Sequence, residues 1–137
     1  MAHPSFAVHV LTPDGDVYEG EVQQVSTRTG VGEVGILSNH APMLARLVPA
    51  ELRLHVDGGE TLRYAQGEGW LEVFANEARV LVSEAIAPDD LDVGSLRERL
   101  ADAEARRDEA EEGSVAREQA EREVVRAEAF IKIAESL

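Results

Sequence analysis

The feature that most constrains the fold is an abrupt change of composition at Pro88. The first 88 residues hold all five prolines, nine of the 11 glycines and five of the six aromatic side chains. Such residues separate short strands and form the turns between them. The rest of the chain has no proline and carries 15 of the 27 acidic side chains, together with many alanines. We therefore predict a β domain over residues 1–88 and a helical domain over residues 89–137.

Alternating apolar side chains predict hairpins in the first domain. Phe6, Val8 and Val10 share one face of a strand, and a Thr-Pro-Asp-Gly turn follows them. The same order of strand, turn and strand recurs over residues 52–64 and 70–83. Many short strands at this spacing are typical of two packed antiparallel sheets. The predicted fold class is β + α, an N-terminal antiparallel β-sandwich followed by a C-terminal antiparallel two-helix hairpin.

Two apolar stripes with helical spacing predict the hairpin. The first helix begins near Val93 or Ser95, behind acidic residues that can cap it, and the second begins after Gly113 with Ser114 as its cap. Most positions of the stripes are alanine, so the contact between the two helices gains little free energy from burial. We therefore predict that the helices are held together weakly. The second stripe is expected at Ala116, Ala120, Val124, Ala127, Ile131 and Ala134.

Charge and composition exclude several classes of protein. The formal net charge of −14 disfavours binding to nucleic acid or anionic lipid. Without cysteine, the chain has no disulfide, zinc–thiolate site or thiol nucleophile. Direct membrane insertion is not expected because no apolar run reaches the roughly 18 residues that a spanning helix needs. The first residues resemble neither a signal peptide nor a transit peptide, which favours a cytoplasmic location.

Motifs for self-contained chemistry lack the context they need. Residues 30–35 match the Gly-x-Gly-x-x-Gly phosphate-binding pattern, but a strand and not a helix is predicted after them. No two of the four histidines share a ligand motif, so no metal site is expected. No nucleophile, base and orienting group can be assigned together, so no catalytic residues are predicted.

Two longer segments resemble the epsilon subunit of F-type ATP synthases. Residues 32–44 read GEVGILSNHAPML, similar to the family's Gly-Glu-x-Gly-x-x-x-x-His-Ala-Pro-x-Leu motif. Residues 67–82 resemble its Gly-Gly-x-x-x-Val stretch, although Glu68 stands in place of the first glycine of the pair. The resemblance covers nearly the whole chain in order.

The resemblance implies a non-catalytic subunit of the central stalk. Its sandwich would join the gamma subunit to the ring of c subunits, and its hairpin would restrain ATP hydrolysis by extending into the catalytic alpha/beta head. This implies a peripheral position on the cytoplasmic face of the bacterial inner membrane. Glu33 would face the c-ring, and the His-Ala-Pro turn would lie near gamma. The implied partner-binding residues are Glu33, Ser38, Asn39, His40, Ala41 and Pro42.

Some members of that family bind regulatory ATP in the folded hairpin. Their motif is Ile/Leu-Asp-x-x-Arg-Ala, whereas here Ser95 and Leu96 stand where arginine and alanine are expected. The residues that would correspond to a nucleotide site are Asp92, Arg97 and Arg126. Because the motif is broken, the sequence predicts no cofactor.

A second interpretation remains open at this level. A β domain carrying a charged helical arm is also typical of a chaperone or an adaptor with a coiled-coil arm. Such a protein would hold clients without needing gamma. A third class is a small sandwich enzyme or sugar-binding module, which would act through residues 1–88 alone.

Overall fold

A computed structural model describes residues 4–136. The described chain divides into two compact units between Ala87 and Pro88. The second unit contains a short 3-10 turn, Pro88–Asp90, and two helices, α1 (Val93–Glu109) and α2 (Val115–Glu135). The first unit contains ten strands: β1 Phe6–Thr12, β2 Gly15–Val22, β3 Gln24–Thr29, β4 Gly32–Leu37, β5 Met43–Leu47, β6 Ala50–His55, β7 Thr61–Gln66, β8 Gly69–Phe74, β9 Glu77–Val82 and β10 Ala85–Ile86. The predicted sandwich followed by a helical hairpin is confirmed.

The strands are hydrogen-bonded in the order β10-β7-β6-β3-β5-β8-β9-β1-β2, with β4 paired to β3. Among the described strands all pairs are antiparallel except β1 with β9, which is parallel. These two strands are far apart in the chain, so no short turn fixes their relative direction. Their placement depends on packing and not on a local signal.

The two layers of the sandwich meet where β3 reaches β5. Thr29 lies opposite Leu47 as the one residue pair of that ladder. Beside it, the fully buried Gln66 accepts a hydrogen bond from Thr27 Oγ1 at 2.7 Å and donates one to the Val48 carbonyl at 2.9 Å. Because a buried amide is costly unless it is paired, these bonds fix β7 against β3 and the chain between β5 and β6.

Alternation along the strands builds the core between the layers. Phe6, Val8 and Val10 of β1 are at most 3% exposed, as the sequence pattern predicts. Residues from seven further strands complete the cluster, which consists of Phe6, Val8, Val10, Val22, Val25, Ile36, Leu47, Leu52, Leu54, Leu71, Val73, Ala78, Val80 and Val82.

Local signals set the beginnings of both helices. Asp92 accepts a hydrogen bond from the Ser95 backbone N–H at 3.1 Å, and Ser114 accepts one from the Arg117 N–H at 3.1 Å. Each bond satisfies a backbone donor that the first turn of a helix leaves unpaired. The predicted Ser114 cap is confirmed, and α1 begins at Val93.

The buried stripe of the helical unit differs from the prediction at its start, where Ala116 is exposed, and near its end. Ala120, Val124 and Ala127 are buried as expected, but Ile131 and Ala134 are only half-buried. Their places are taken by Phe130 and Ile133, because the stripe advances by three residues per turn here and not by four. The stripe is therefore less dominated by alanine than the sequence analysis expected, and each large side chain adds about 1.5–3 kcal/mol of burial.

We expect Gly69 to tolerate no side chain. A Cβ at this position would lie 1.9 Å from the Leu81 carbonyl oxygen, a backbone atom that cannot rotate away. Gly69→Ala should lower the free energy of unfolding by about 3 kcal/mol, measured by chemical denaturation. The control is Gly30→Ala, where an added Cβ meets nothing within 4 Å and a change within about 0.5 kcal/mol is expected. Equal stability of the two variants would contradict the packing described.

The stability of the sandwich should also depend on the charge of Glu51. Its Oε1 accepts hydrogen bonds from Arg63 Nε at 2.5 Å and from Arg53 Nε at 2.8 Å. The bond from Arg63 lowers the pKa of Glu51 most, burial opposes it, and Arg53 lowers it further. Because this pKa is lower in the folded chain, the stabilisation is complete above the ordinary value of 4.5 and disappears as pH falls through the folded value.

Glu51→Gln should therefore reduce the free energy of unfolding by about 1 kcal/mol at pH 7. The difference from the unmodified chain should shrink as the pH is lowered below the ordinary carboxyl range. Glu60→Gln, at an exposed carboxylate in the β6–β7 turn, is the control and should change stability little. A difference that is independent of pH would show that the carboxylate charge is not the cause.

Candidate functional site

The turn between β4 and β5 carries most of the predicted partner-binding residues. Asn39 has a φ of 62°, a left-handed conformation that asparagine tolerates better than most residues. Its backbone N–H donates to Asn76 Oδ1 at 2.6 Å, and the Ser38 hydroxyl donates to the same oxygen at 3.3 Å. One side chain thus holds two successive residues of the turn.

Asn76 is positioned by its own tight turn between β8 and β9. Ala75 and Asn76 have φ values of 51° and 61°, which is the pattern of a type I′ hairpin turn. This turn matches the twist of the flanking strands and places the Asn76 side chain against the β4–β5 turn. Two loops that are distant in sequence therefore form one ordered surface.

His40 is held by its own backbone neighbours. Its N–H donates to the Leu37 carbonyl at 3.2 Å, and its Nδ1 lies 2.7 Å from the Ala41 carbonyl oxygen. Since a carbonyl only accepts, Nδ1 carries the proton in this contact and Nε2 is the ring atom that can meet a partner. Ala41 and Pro42 are exposed.

Glu33 lies near the opposite end of β4 from this turn. It is paired across the hairpin with Arg28, whose Nη2 lies 3.3 Å from Glu33 Oε1, and its side chain is 80% exposed. At about 3.3 Å per residue, Ser38 lies roughly 17 Å along the chain from Glu33. The structure therefore separates the predicted partner-binding residues into two places on the sandwich.

An exposed apolar surface lies on the outer face of β5, β8 and β9, and sequence analysis did not predict it. Register places Trp70 of β8 directly opposite Leu81 of β9. We call it the outer apolar patch; it consists of Leu44, Trp70, Phe74 and Leu81, which are 68%, 48%, 66% and 41% exposed. Charged side chains share this face, because Leu44 lies opposite Glu72 and Arg46 lies opposite Trp70. Exposed apolar groups that are rimmed by polar residues often mark sites of protein–protein interaction.

A signal for this patch is present in the sequence. Four of the five residues of the segment WLEVF, residues 70–74, are apolar. A strand with one solvated face alternates between apolar and polar residues, so this segment indicates a strand covered on both faces. Leu71 and Val73 face the core, which leaves Trp70 and Phe74 on the outer face.

The residues that correspond to a nucleotide motif have other partners. Asp92 caps α1 through the Ser95 N–H, and Arg97 Nη2 lies 3.4 Å from Glu135 Oε2. The guanidinium of Arg126 lies 4.6 Å from the ring centroid of Phe130, a cation–π contact.

Arg126 also has an acidic partner, because its Nη1 lies 3.4 Å from Glu123 Oε1. These residues thus serve a helix cap, an ion pair between the helices, and a contact along α2. Over residues 4–136, neither helix combines the length and the apolar character that crossing a membrane requires.

Comparison with known proteins identifies the family. Residues 5–88 match the family described as ATP synthase, Delta/Epsilon chain, beta-sandwich domain. The chain belongs to this family. An ATP synthase epsilon chain of Persephonella marina is 36% identical over 130 residues, which are 94% of this chain and 96% of the relative. Another from Halalkalibacterium halodurans is 37% identical over 124 residues, 90% of this chain and 92% of the relative.

Solved structures share the fold over almost the whole epsilon chain. A chain from the Euglena gracilis mitochondrial ATP synthase structure, titled OSCP/F1/c-ring in rotational state 1, has a TM-score of 0.78 at 23% identity and covers 98% of this chain and 82% of its own. A chain from the Tetrahymena thermophila mitochondrial ATP synthase, central stalk/c-ring, has a TM-score of 0.65 at 16% identity and covers 98% and 99%.

The family assignment confirms the prediction that this chain is an ATP synthase epsilon chain. The family assignment favours the epsilon-chain interpretation over the two alternatives, which were a chaperone or adaptor and a small enzyme or sugar-binding module. The roles of individual residues stay predictions.

We expect Asn76 to order the β4–β5 turn through its side-chain oxygen. Asn76→Gly keeps the left-handed backbone but removes the acceptor, which should cost about 1 kcal/mol and speed amide exchange at Asn39 roughly fivefold. Hydrogen exchange followed by NMR measures this rate. Asn76→Asp keeps the acceptor oxygen and should preserve the protection. Unchanged exchange in the glycine variant would mean that the turn is ordered by other contacts.

Proposed function

We propose that this epsilon chain joins the gamma subunit to the ring of c subunits and passes rotation to the catalytic head. The observation that carries the proposal is the outer apolar patch beside an ordered His-Ala-Pro turn, in a chain of the epsilon family. A rotor contact must transmit torque without sliding, which requires a rigid surface. The hydrogen bonds that Asn76 Oδ1 accepts supply rigidity, and the patch supplies apolar area for burial.

Gamma is the partner proposed for the patch and the turn. Leu44 follows Pro42 by two residues, so the patch begins directly after the turn. Aromatic side chains such as Trp70 and Phe74 are favoured at the centres of protein interfaces because they bury a large area at small entropic cost. The Nδ1 contact of His40 with the Ala41 carbonyl leaves Nε2 available for a polar contact in the turn before this surface.

The c-ring is the partner proposed for the tip of the β3–β4 hairpin. Val31 at this tip is 100% exposed between Gly30 and Gly32, and Glu33 follows it with an exposed carboxylate. An apolar tip with one acidic neighbour suits a polar loop that offers a basic or amide donor. Its position at the far end of β4 from the His-Ala-Pro turn allows the sandwich to hold two partners at once.

The helical hairpin is the proposed inhibitory arm. Its helices are joined by ion pairs at the surface, Arg97 with Glu135 at 3.4 Å and Arg99 with Glu123 at 3.7 Å. Exposed pairs of this kind contribute little stability and are weakened by salt, so contacts with the alpha/beta head can replace them. We propose that the hairpin restrains ATP hydrolysis when it extends into the head.

We propose that this arm works without bound ATP. Asp92 is committed to the helix cap, and Arg97 and Arg126 already contact carboxylates. A nucleotide would have to break these contacts to use the same residues. We also propose a peripheral position at the cytoplasmic face of a bacterial inner membrane, since the chain resembles epsilon chains of Persephonella marina and Halalkalibacterium halodurans over most of their length.

The test is ATP hydrolysis by a catalytic head with gamma but without its own epsilon chain. The full chain should bind and suppress hydrolysis, whereas a chain ending at Ala87 should bind gamma without suppressing it. Leu44→Glu places a charge in the outer apolar patch and should weaken binding at least tenfold, about 1.4 kcal/mol or more. Binding is measured by co-migration with gamma at a series of concentrations.

The matched control is Thr61→Glu, which adds the same charge at an exposed position of β7 in the other layer. It should bind and suppress hydrolysis like the unmodified chain. If Leu44→Glu binds as tightly as this control, the outer apolar patch is not the gamma surface. If the chain ending at Ala87 suppresses hydrolysis fully, the hairpin is not the inhibitory arm.

A further inference from the structure

Three side chains of metal-ligand type converge on the β1–β2 hairpin. His9 lies directly opposite Glu19 in the antiparallel ladder. Between Val10 and Leu11 the register shifts by one residue, which places Asp16 opposite Leu11. Because side chains alternate between faces, this β-bulge puts Asp16 on the same face as His9 and Glu19. Regular pairing would have put Asp16 on the other face.

The donor atoms are spaced for a shared ion. His9 Nε2 lies 3.2 Å from Asp16 Oδ1 and 4.0 Å from Glu19 Oε2, and all three ligand atoms lie within 4.8 Å of one another. Tetrahedral coordination with bonds of about 2.0–2.1 Å separates neighbouring donors by roughly 3.3 Å. Both carboxylates are more than half exposed, so small side-chain rotations suffice to close the set.

His9 Nε2 gives a second, independent indication. This atom is buried from solvent and has no hydrogen-bond partner among the described residues, although the carboxylates are nearby. The Asp16 oxygen at 3.2 Å is close enough for a hydrogen bond, but its direction does not satisfy the nitrogen. A buried polar atom without a partner is costly, and a metal ion between the three groups would remove that cost.

The surrounding charge is compatible with a cation. On the side of β1 away from β2, Arg79 of β9 lies opposite His9. The Nε atom of Arg79 is 3.4 Å from Glu77 Oε1, and this carboxylate offsets the charge of Arg79. The two carboxylates of the cluster supply two negative charges, and the whole chain carries a formal charge of −14.

We propose that His9, Asp16 and Glu19 bind a divalent transition-metal ion of the zinc class. His9 Nε2 and one oxygen from each carboxylate are the ligands, and water completes the coordination. One imidazole with two carboxylates favours zinc over magnesium or calcium, which prefer oxygen ligands alone. The ion would fasten β2, the last strand in the sheet order, to β1.

Titration of the full chain with Zn²⁺ alone, followed by calorimetry at pH 7, tests the site. Every variant carries His3→Gln, because His3 lies outside the described residues and can bind metal independently. We expect one saturable Zn²⁺ per chain and a rise in Tm with Zn²⁺. His9→Gln should weaken binding at least tenfold and abolish that rise, whereas His55→Gln, the matched control, should leave both unchanged.

Glu19→Gln keeps the proposal testable if His9→Gln folds poorly. Glu19 is 71% exposed, so its replacement should preserve the fold while weakening Zn²⁺ binding. Titration with Co²⁺ adds a spectroscopic measurement, since a site with nitrogen and oxygen ligands gives visible absorption that both variants should lose. Binding that does not saturate below about 1 mM, or equal losses in His55→Gln, would overturn the proposal.

Discussion

The junction at β3 is the constraint on which the rest of the sandwich depends. This strand pairs with β4 and β6 in one layer and touches β5 of the other through Thr29 and Leu47. Such a short ladder would be a weak connection alone. Gln66 strengthens it from the core, because its amide bridges Thr27 and the Val48 carbonyl where water cannot compete. Loss of that bridge would leave the buried Thr27 hydroxyl and the buried Gln66 amide without these hydrogen-bond partners.

The same junction fixes the geometry of the proposed interface. Strand β4 is held to β3 along its whole length, so its two ends are placed as rigidly as the layer itself. One end carries Glu33 and the exposed Val31, and the other leads into the turn that Asn76 holds. A sandwich built in this way can resist the torque between two partners, which a pair of flexible loops could not do.

The helical unit is stabilised by a different balance of forces. Its caps at Asp92 and Ser114 are local, and its ion pairs are at the surface. Phe130 is fully buried and gives the unit more apolar burial than a seam of alanines would. The two helices of the hairpin can therefore stay folded while the ion pairs between them are replaced by contacts with a partner. This combination is suited to an arm that changes partners.

Local patterns in the sequence were sufficient for the elements and the family. Alternation placed Phe6, Val8 and Val10 in the core, and capping residues placed the start of α2. The motif over residues 32–44 indicated the epsilon family, and residues 5–88 match it. These features depend on residues close together in the chain, where propensity and spacing are decisive.

Only the tertiary structure decided which distant residues meet. The parallel pairing of β1 with β9 and the hydrogen bonds from the β4–β5 turn to Asn76 join segments that are far apart in sequence. The exposure of Phe74 likewise depends on what the rest of the fold leaves uncovered. The β-bulge that brings Asp16 beside His9 is a shift of one residue in register. Register depends on packing across the whole sheet, so the sequence by itself determined the strands and the structure determined their neighbours.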